Sequence, residues 1–316
     1  MSIIEATLYT DAACPWAYSA CPALRVLEWR YRDQLSWRLV MIGLREDASG
    51  LVARGYDPRR AAGNLARFRD RYGMPFDLVP KERPAGTGLG CRAVVAARLL
   101  DPGSEWRVLR ALQLAQFTSS LLLDDDERIG NALRAVPGID ADGIVARLDA
   151  PEVAEAYERD REEARRAAGT AAEAQGKTST SDGPVRFTAP SLVFRLGEQS
   201  LVAGGWQPLS AYDLLLANLE PNLQRTPAPP TPEPLFEFFV DGLATAEVAL
   251  LTADGADPSP DLRAAELALH DLAATGAIVR IPLGGDALWQ PAKGAKHVER
   301  ARVESTSLSR TAVTQA

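Results

Sequence analysis

The chain has 316 residues, 46% of them hydrophobic and 24% charged, with a formal net charge of −7. That balance belongs to a folded globular protein long enough to bury a substantial core, and its sign argues against general affinity for nucleic acid or anionic membrane. No apolar run approaches bilayer length, the opening MSIIEATLYTD lacks the features of a secretory leader, and three cysteines make no disulfide framework, so a reducing cytoplasm is the expected setting.

The first apolar run, Ile3 to Tyr9, predicts a short strand, followed by a turn through Asp11-Ala12-Ala13. Next come Cys14-Pro15-Trp16-Ala17 and, from Tyr18 to Arg32, apolar residues at helical spacing. Proline suits the first helical position because its missing N–H would have no partner there. A cysteine just before it faces unpaired N–H groups and the positive end of the helix dipole, which favour the nucleophilic thiolate, so a thiol pKa below the usual ~8.5 is expected. The competing reading is an inert buried cysteine. Cys21 lies seven residues on, about two helical turns or roughly 10 Å away, beyond disulfide reach.

Leu35 to Ile42 predicts a second strand, and strand, helix, strand in this order implies a right-handed parallel crossover. Helical patterns then run over Pro58–Tyr72, Leu89–Leu100, Glu105–Leu121, Asp125–Val136, Ala141–Leu148 and Pro151–Ala174. The acidic run Asp124 to Glu127 suits a helix N-terminus better than a metal site, because no second cluster stands at ligand spacing. The polar stretch Gly176 to Gly183 reads as a loop, Phe187 to Phe194 as a strand with Pro190 at its entrance, Leu196 to Leu201 as a hairpin, and Leu209 to Leu219 as a helix.

Residues 223–234 form a proline-rich, semi-rigid linker. Helices are expected over Leu235–Leu251 and Asp261–Thr275, then a hairpin with a glycine turn, so that residues 235–291 resemble a small winged-helix module. Its candidate recognition helix carries Asp261, Arg263, Glu266, His270 and Asp271, which is no phosphate-binding face; packing or homodimerisation is the expected role. Residues 292–316 read as a mobile tail. Two histidines, His270 and His297, are too few for a histidine triad or a multi-histidine metal centre, so no metal is expected. Trp16, Trp29, Trp37 and Trp206 are core candidates, with Trp16 placed at a pocket wall beside Cys14.

Strand, Cys14-Pro15-Trp16, helix, with Pro190 before Ser191-Leu192-Val193-Phe194, resembles the DsbA-like branch of the thioredoxin superfamily, especially its FrnE-like cytoplasmic members. The resemblance spans about residues 3 to 222 and implies an α/β thioredoxin-like fold over 1–222 with a helical insertion at about 58–176. It also implies a cis Ala189–Pro190 bond against Cys14 and a thiol–disulfide oxidoreductase. The second active-site cysteine of that family falls on Ala17, so a monothiol variant using a low-molecular-weight thiol is implied. In FrnE-like relatives an Asn-Thr pair and an Ala-His-Arg stand over the active site; Thr87 and Arg92 match them, while Gly86 and Cys91 replace the asparagine and histidine. Thr87, Cys91 and Arg92 are therefore candidate pocket residues, with Cys91 a potential partner for Cys14 and Arg92 a potential carboxylate holder. Two rival readings stay open: an enzyme like glutathione transferase kappa or 2-hydroxychromene-2-carboxylate isomerase, with serine commonly at the Cys14 position, and a degenerate thioredoxin-fold binding protein.

Overall fold

The computed structural model describes residues 3–255 and 258–292. The chain opens with β1 (Ile4–Thr10), α1 (Pro15–Ser19), α2 (Cys21–Tyr31) and β2 (Leu35–Met41). The single helix expected from Tyr18 is thus two, broken at Ala20, because Pro22 has no N–H to continue the ladder across the junction. An insertion follows with α3 (Ser49–Ala53), α4 (Pro58–Tyr72), α5 (Gly88–Leu100), α6 (Glu105–Thr118), α7 (Asp126–Arg134), α8 (Ala141–Val145), α9 (Pro151–Ala164) and α10 (Ala171–Ala174). The expected Pro151–Ala174 helix is also split, with Gly169 at φ +75° between its halves.

The chain then returns through a small ladder of β3 (Thr178–Ser179) and β4 (Arg186–Phe187), followed by β5 (Ser191–Leu196), β6 (Gln199–Ala203) and α11 (Leu209–Leu219). The main sheet has the order β2-β1-β5-β6. β1 pairs in parallel with β2 and antiparallel with β5, so it is central and almost wholly buried. Centrality matters, because the loop leaving the C-terminal end of β1 carries Cys14.

One polar junction and one close-packed helix face hold the insertion to this sheet. Asp160 on α9 accepts from the Met41 N–H at 2.9 Å and from Arg98 of α5 at 3.0 Å, tying both helices to the end of β2. On α5, Ala93 to Ala97 are all buried, small side chains that let the helix lie close against its neighbours.

The proline-rich segment does not hang free. Thr226 N–H bonds Arg30 O at 2.8 Å, Gln34 and Gln224 exchange bonds at 2.7 and 2.9 Å, and Trp29 Nε1 donates to Pro227 O at 2.8 Å. Beyond it lie α12 (Glu233–Phe238), β7 (Leu243–Ala244), α13 (Thr245–Leu251), α14 (Leu262–Ala274), β8 (Ile278–Leu283) and β9 (Asp286–Pro291), in a sheet ordered β7-β9-β8. The one helix expected over Leu235–Leu251 is therefore a helix, a strand and a helix. Gly242, at φ +88°, makes the turn where a Cβ would lie 2.6 Å from Trp289 O. The module packs through α13 on α2 and through an ion pair between Arg110 on α6 and the fully buried Glu247 on α13, with N–O distances of 2.7 Å. Its hairpin turn at Gly284 lies against the backbone of Phe76 and Asp77 in the insertion. His297 and the rest of the expected tail, residues 293–316, lie outside the described residues. No described helix is long and apolar enough to cross a membrane.

Candidate active site

Cys14 caps α1 in extended conformation (φ −88°, ψ 115°), with Pro15 at the first helical position and Tyr18 N–H on Cys14 O at 3.0 Å. The Ala189–Pro190 bond is cis, and the Cys14 thiol donates to Ala189 O at 3.3 Å. Ser191 holds this turn: its hydroxyl donates to Thr188 O at 2.6 Å and accepts from Gly205 N–H at 2.9 Å. The neighbouring Gly204 is glycine because a Cβ there would come within 2.9 Å of Ala172. Cys14, Pro15, Trp16, Ala17, Ala189 and Pro190 are thus one constellation, assembled from the two middle strands of the sheet.

The expected acidity of Cys14 is not found. The residue is only 5% exposed, packed with Ala17, Ala164, Ala167, Phe187 and Ala189. Burial pushes its thiol up to about 12; the Asp11 carboxylate adds to this, while the N–H groups of Ala17 and Trp16 and the Arg45 guanidinium pull the other way. The helix terminus is real, but α1 has five residues and a correspondingly small dipole, so desolvation wins.

Thr87 and Cys91 do approach the active-site turn, though from behind. Both are fully buried, and both point at Asp11, three residues before Cys14. Asp11 Oδ2 accepts from Thr87 Oγ1 at 2.9 Å, Cys91 Sγ at 3.5 Å and Leu44 N–H at 2.9 Å, while Oδ1 accepts from Ala13 N–H at 2.9 Å. This carboxylate gathers the turn after β1, the segment after β2 and the start of α5 beside Cys14. Thr87 and Cys91 therefore line no open pocket, and Arg92 is already held by Glu46 at 3.0 Å. The sequence alone gives Asp11 no role; a lone acid in an Ala-rich turn before Cys-Pro is its one signal. Cys21 points elsewhere, toward Ala17 O at 3.9 Å and Gln113 Oε1 at 3.8 Å. All three cysteines are free thiols.

The rim is aromatic. Trp16 is 44% exposed and meets Phe68 edge-on at 4.9 Å and Tyr72 at 6.0 Å, and Tyr72 meets Trp206 at 5.0 Å. Phe68 and Tyr72 come from α4, one turn apart, a pairing the sequence did not single out. Among the described residues no group of three or more His, Cys, Asp or Glu side chains is placed to hold a metal ion.

Residues 6–170 match the profile of the DSBA-like thioredoxin domain. Among solved structures, a Nitrosomonas europaea protein classed by inference as a protein disulfide isomerase aligns over 68% of this chain and 97% of its own, at 17% identity and a TM-score of 0.52. A Streptomyces coelicolor protein classed by inference as a DsbA oxidoreductase aligns over 71% of this chain and 92% of its own, at 18% identity and a TM-score of 0.51. The cytosolic disulfide reductase DsbM of Pseudomonas aeruginosa aligns over 63% and 88%, at 17% identity and a TM-score of 0.45. No curated protein matches. At these identities the likeness establishes the thioredoxin-like fold.

Proposed function

Because the chain belongs to the DSBA-like thioredoxin domain family, we propose that it is a cytoplasmic thiol–disulfide oxidoreductase working through Cys14 alone, with a low-molecular-weight thiol as co-substrate. The Cys14 thiolate attacks one sulfur of a disulfide, forming a mixed disulfide and expelling the other sulfur as a thiolate. A second, free thiolate then attacks the mixed disulfide and returns Cys14 to its reduced form. The observation that carries this reading is the meeting of Cys14, at the start of α1, with the carbonyl of Ala189 before Pro190, while Ala17 occupies the next turn without a thiol.

Oxidation of the protein with a small disulfide, followed by intact mass and peptide mapping, tests the proposal. The expected product carries one small thiol on Cys14 and no internal disulfide. Ala17→Cys supplies an internal resolving thiol and is expected to raise insulin-reduction activity. A Cys14–Cys91 crosslink would refute the monothiol cycle. The burial of Cys14 favours a second reading, a thioredoxin-fold binding protein without turnover. That reading is upheld if Cys14 forms no mixed disulfide in the folded protein and Ala17→Cys gains no activity.

A further inference from the structure

Beside the aromatic rim, α4 carries Arg60, Arg67 and Arg71, all exposed, and none is ion-paired with a carboxylate among the described residues. Arginines such as Arg83, Arg98, Arg107, Arg134 and Arg165 each hold a carboxylate, whereas these three present their guanidiniums together along one helix. Arg71 stacks over the Tyr72 ring at 5.4 Å. At about 100° per residue, Asn64 and Arg71 stand beside Phe68 on one flank of the helix, with Arg60 and Arg67 just beyond. Leu65, on the other flank, packs toward Met74 and Phe76. The arginine flank therefore opens to solvent next to Trp16, two residues from the nucleophile.

We propose that this flank of α4, with Trp16 and Tyr72, is a docking surface for an acidic polypeptide segment adjoining the disulfide that Cys14 attacks. The proposal deepens the oxidoreductase reading and rests on it. Charge complementarity selects an acidic partner, since unpaired guanidiniums favour carboxylates. The span selects a polypeptide: Arg60 to Arg71 covers about 16 Å along the helix, the length of roughly five extended residues and beyond the reach of a small thiol. The chemical step is ordinary exchange: Cys14 sulfur bonds the substrate cysteine sulfur, and the substrate's former partner leaves as a thiolate.

The test uses the full chain and two short peptides, each with one cysteine held as a mixed disulfide with 2-mercaptoethanol, one flanked by aspartates and one by serines. Hydroxyethyl disulfide serves as an uncharged small probe. Rates of mixed-disulfide formation at Cys14 are followed by quenching and mass spectrometry. At low salt the aspartate peptide is expected to react about tenfold faster than the serine peptide, with the ratio shrinking as salt rises. In the exposed double variant Arg67→Glu/Arg71→Glu the ratio is expected to fall to one or below. Equal rates for the two peptides, or a preference that survives the double reversal, would overturn the docking surface while leaving the oxidoreductase reading in place. Failure of all three probes to modify Cys14 would overturn both.

Discussion

Replacing Asp11 by asparagine separates the two effects this buried carboxylate exerts on the site. Its oxygens accept four hydrogen bonds, three at 2.9 Å and one from the Cys91 thiol at 3.5 Å. An amide keeps only one acceptor oxygen. With that oxygen placed toward Leu44, Thr87 and Cys91, the amide NH2 confronts the Ala13 N–H and strands it, at about 1–3 kcal/mol. The Leu44 and Thr87 bonds lose their charge assistance, which weakens each by about 1 kcal/mol, while relief of the buried charge offsets part of the loss. A net destabilisation of about 2 kcal/mol is expected, lowering the urea midpoint by about 0.7–1 M for a slope of 2–3 kcal/mol/M. The second effect has the opposite sense for function. The Asp11 charge helps hold the Cys14 proton on, so Asp11→Asn lowers the thiol pKa and speeds Cys14 alkylation at pH 8. Thr87→Val is the control: it costs stability, keeps the carboxylate, and leaves the pH profile of alkylation where it was. An Asp11→Asn protein as stable as the native chain, or one whose Cys14 profile does not move, would refute the reasoning.

Three further outcomes are expected. Glu247→Gln leaves the Arg110 guanidinium buried without its counter-charge and is expected to cost about 3–5 kcal/mol, read by denaturant titration, whereas a shift below about 1 kcal/mol would mean the module contributes little to the fold. Burial works against the Glu247 charge, but Arg110 holds its carboxyl below the usual range; that stabilisation is present above the unfolded value of ~4.3 and is lost as pH falls through the lower folded one. At the alkaline end, burial raises Cys14 and Cys21 to about 12, so the folded chain keeps protons that the unfolded chain releases. Stability is therefore expected to fall as pH rises above ~8.5, and Cys21→Ala should flatten the decline. The alkylation rate of Cys14, measured against a Cys14→Ser control, is expected to climb through pH 10 without a plateau, and a plateau near neutrality would show that the helix terminus prevails over burial.

What the sequence revealed and what it concealed divides along range of interaction. Cys14-Pro15 and the alternation of Leu35 to Met41 are local signals, and the opening strand, helix and strand were legible from them. Pro190 was legible as an active-site proline through the resemblance, since a proline at a strand start has no single local meaning. The break at Gly242 had one local signal, the Asp241-Gly242 pair, but apolar residues on both sides of it read as one helix, and periodicity does not register a two-residue strand set by packing against β9. Asp11 was hidden for a different reason. Two of its donors, Leu44 and Thr87, lie 33 and 76 residues away, so only the assembled fold shows the turn acid to be a junction. The same distance effect defeated the expected acidity of Cys14: the residues that bury it, Ala164, Ala167 and Phe187, arrive from the far end of the insertion and the returning chain.

That burial also constrains how the site can act. In the resting form the protonated sulfur donates to Ala189 O; as a thiolate it would accept from the Ala17 and Trp16 N–H groups instead. Protonation and hydrogen-bond direction thus change together, and the two arrangements compete for one sulfur. With burial raising its pKa to about 12, the thiol is the dominant form of Cys14 at neutral pH. A solvent-borne reagent meets the donating form almost every time. A polypeptide drawn onto α4 and Trp16 remains beside the sulfur for longer than a free reagent, which raises its chance of meeting the rare thiolate. Docking therefore favours a bound substrate over a free reagent, while burial slows both alike because both need the same thiolate.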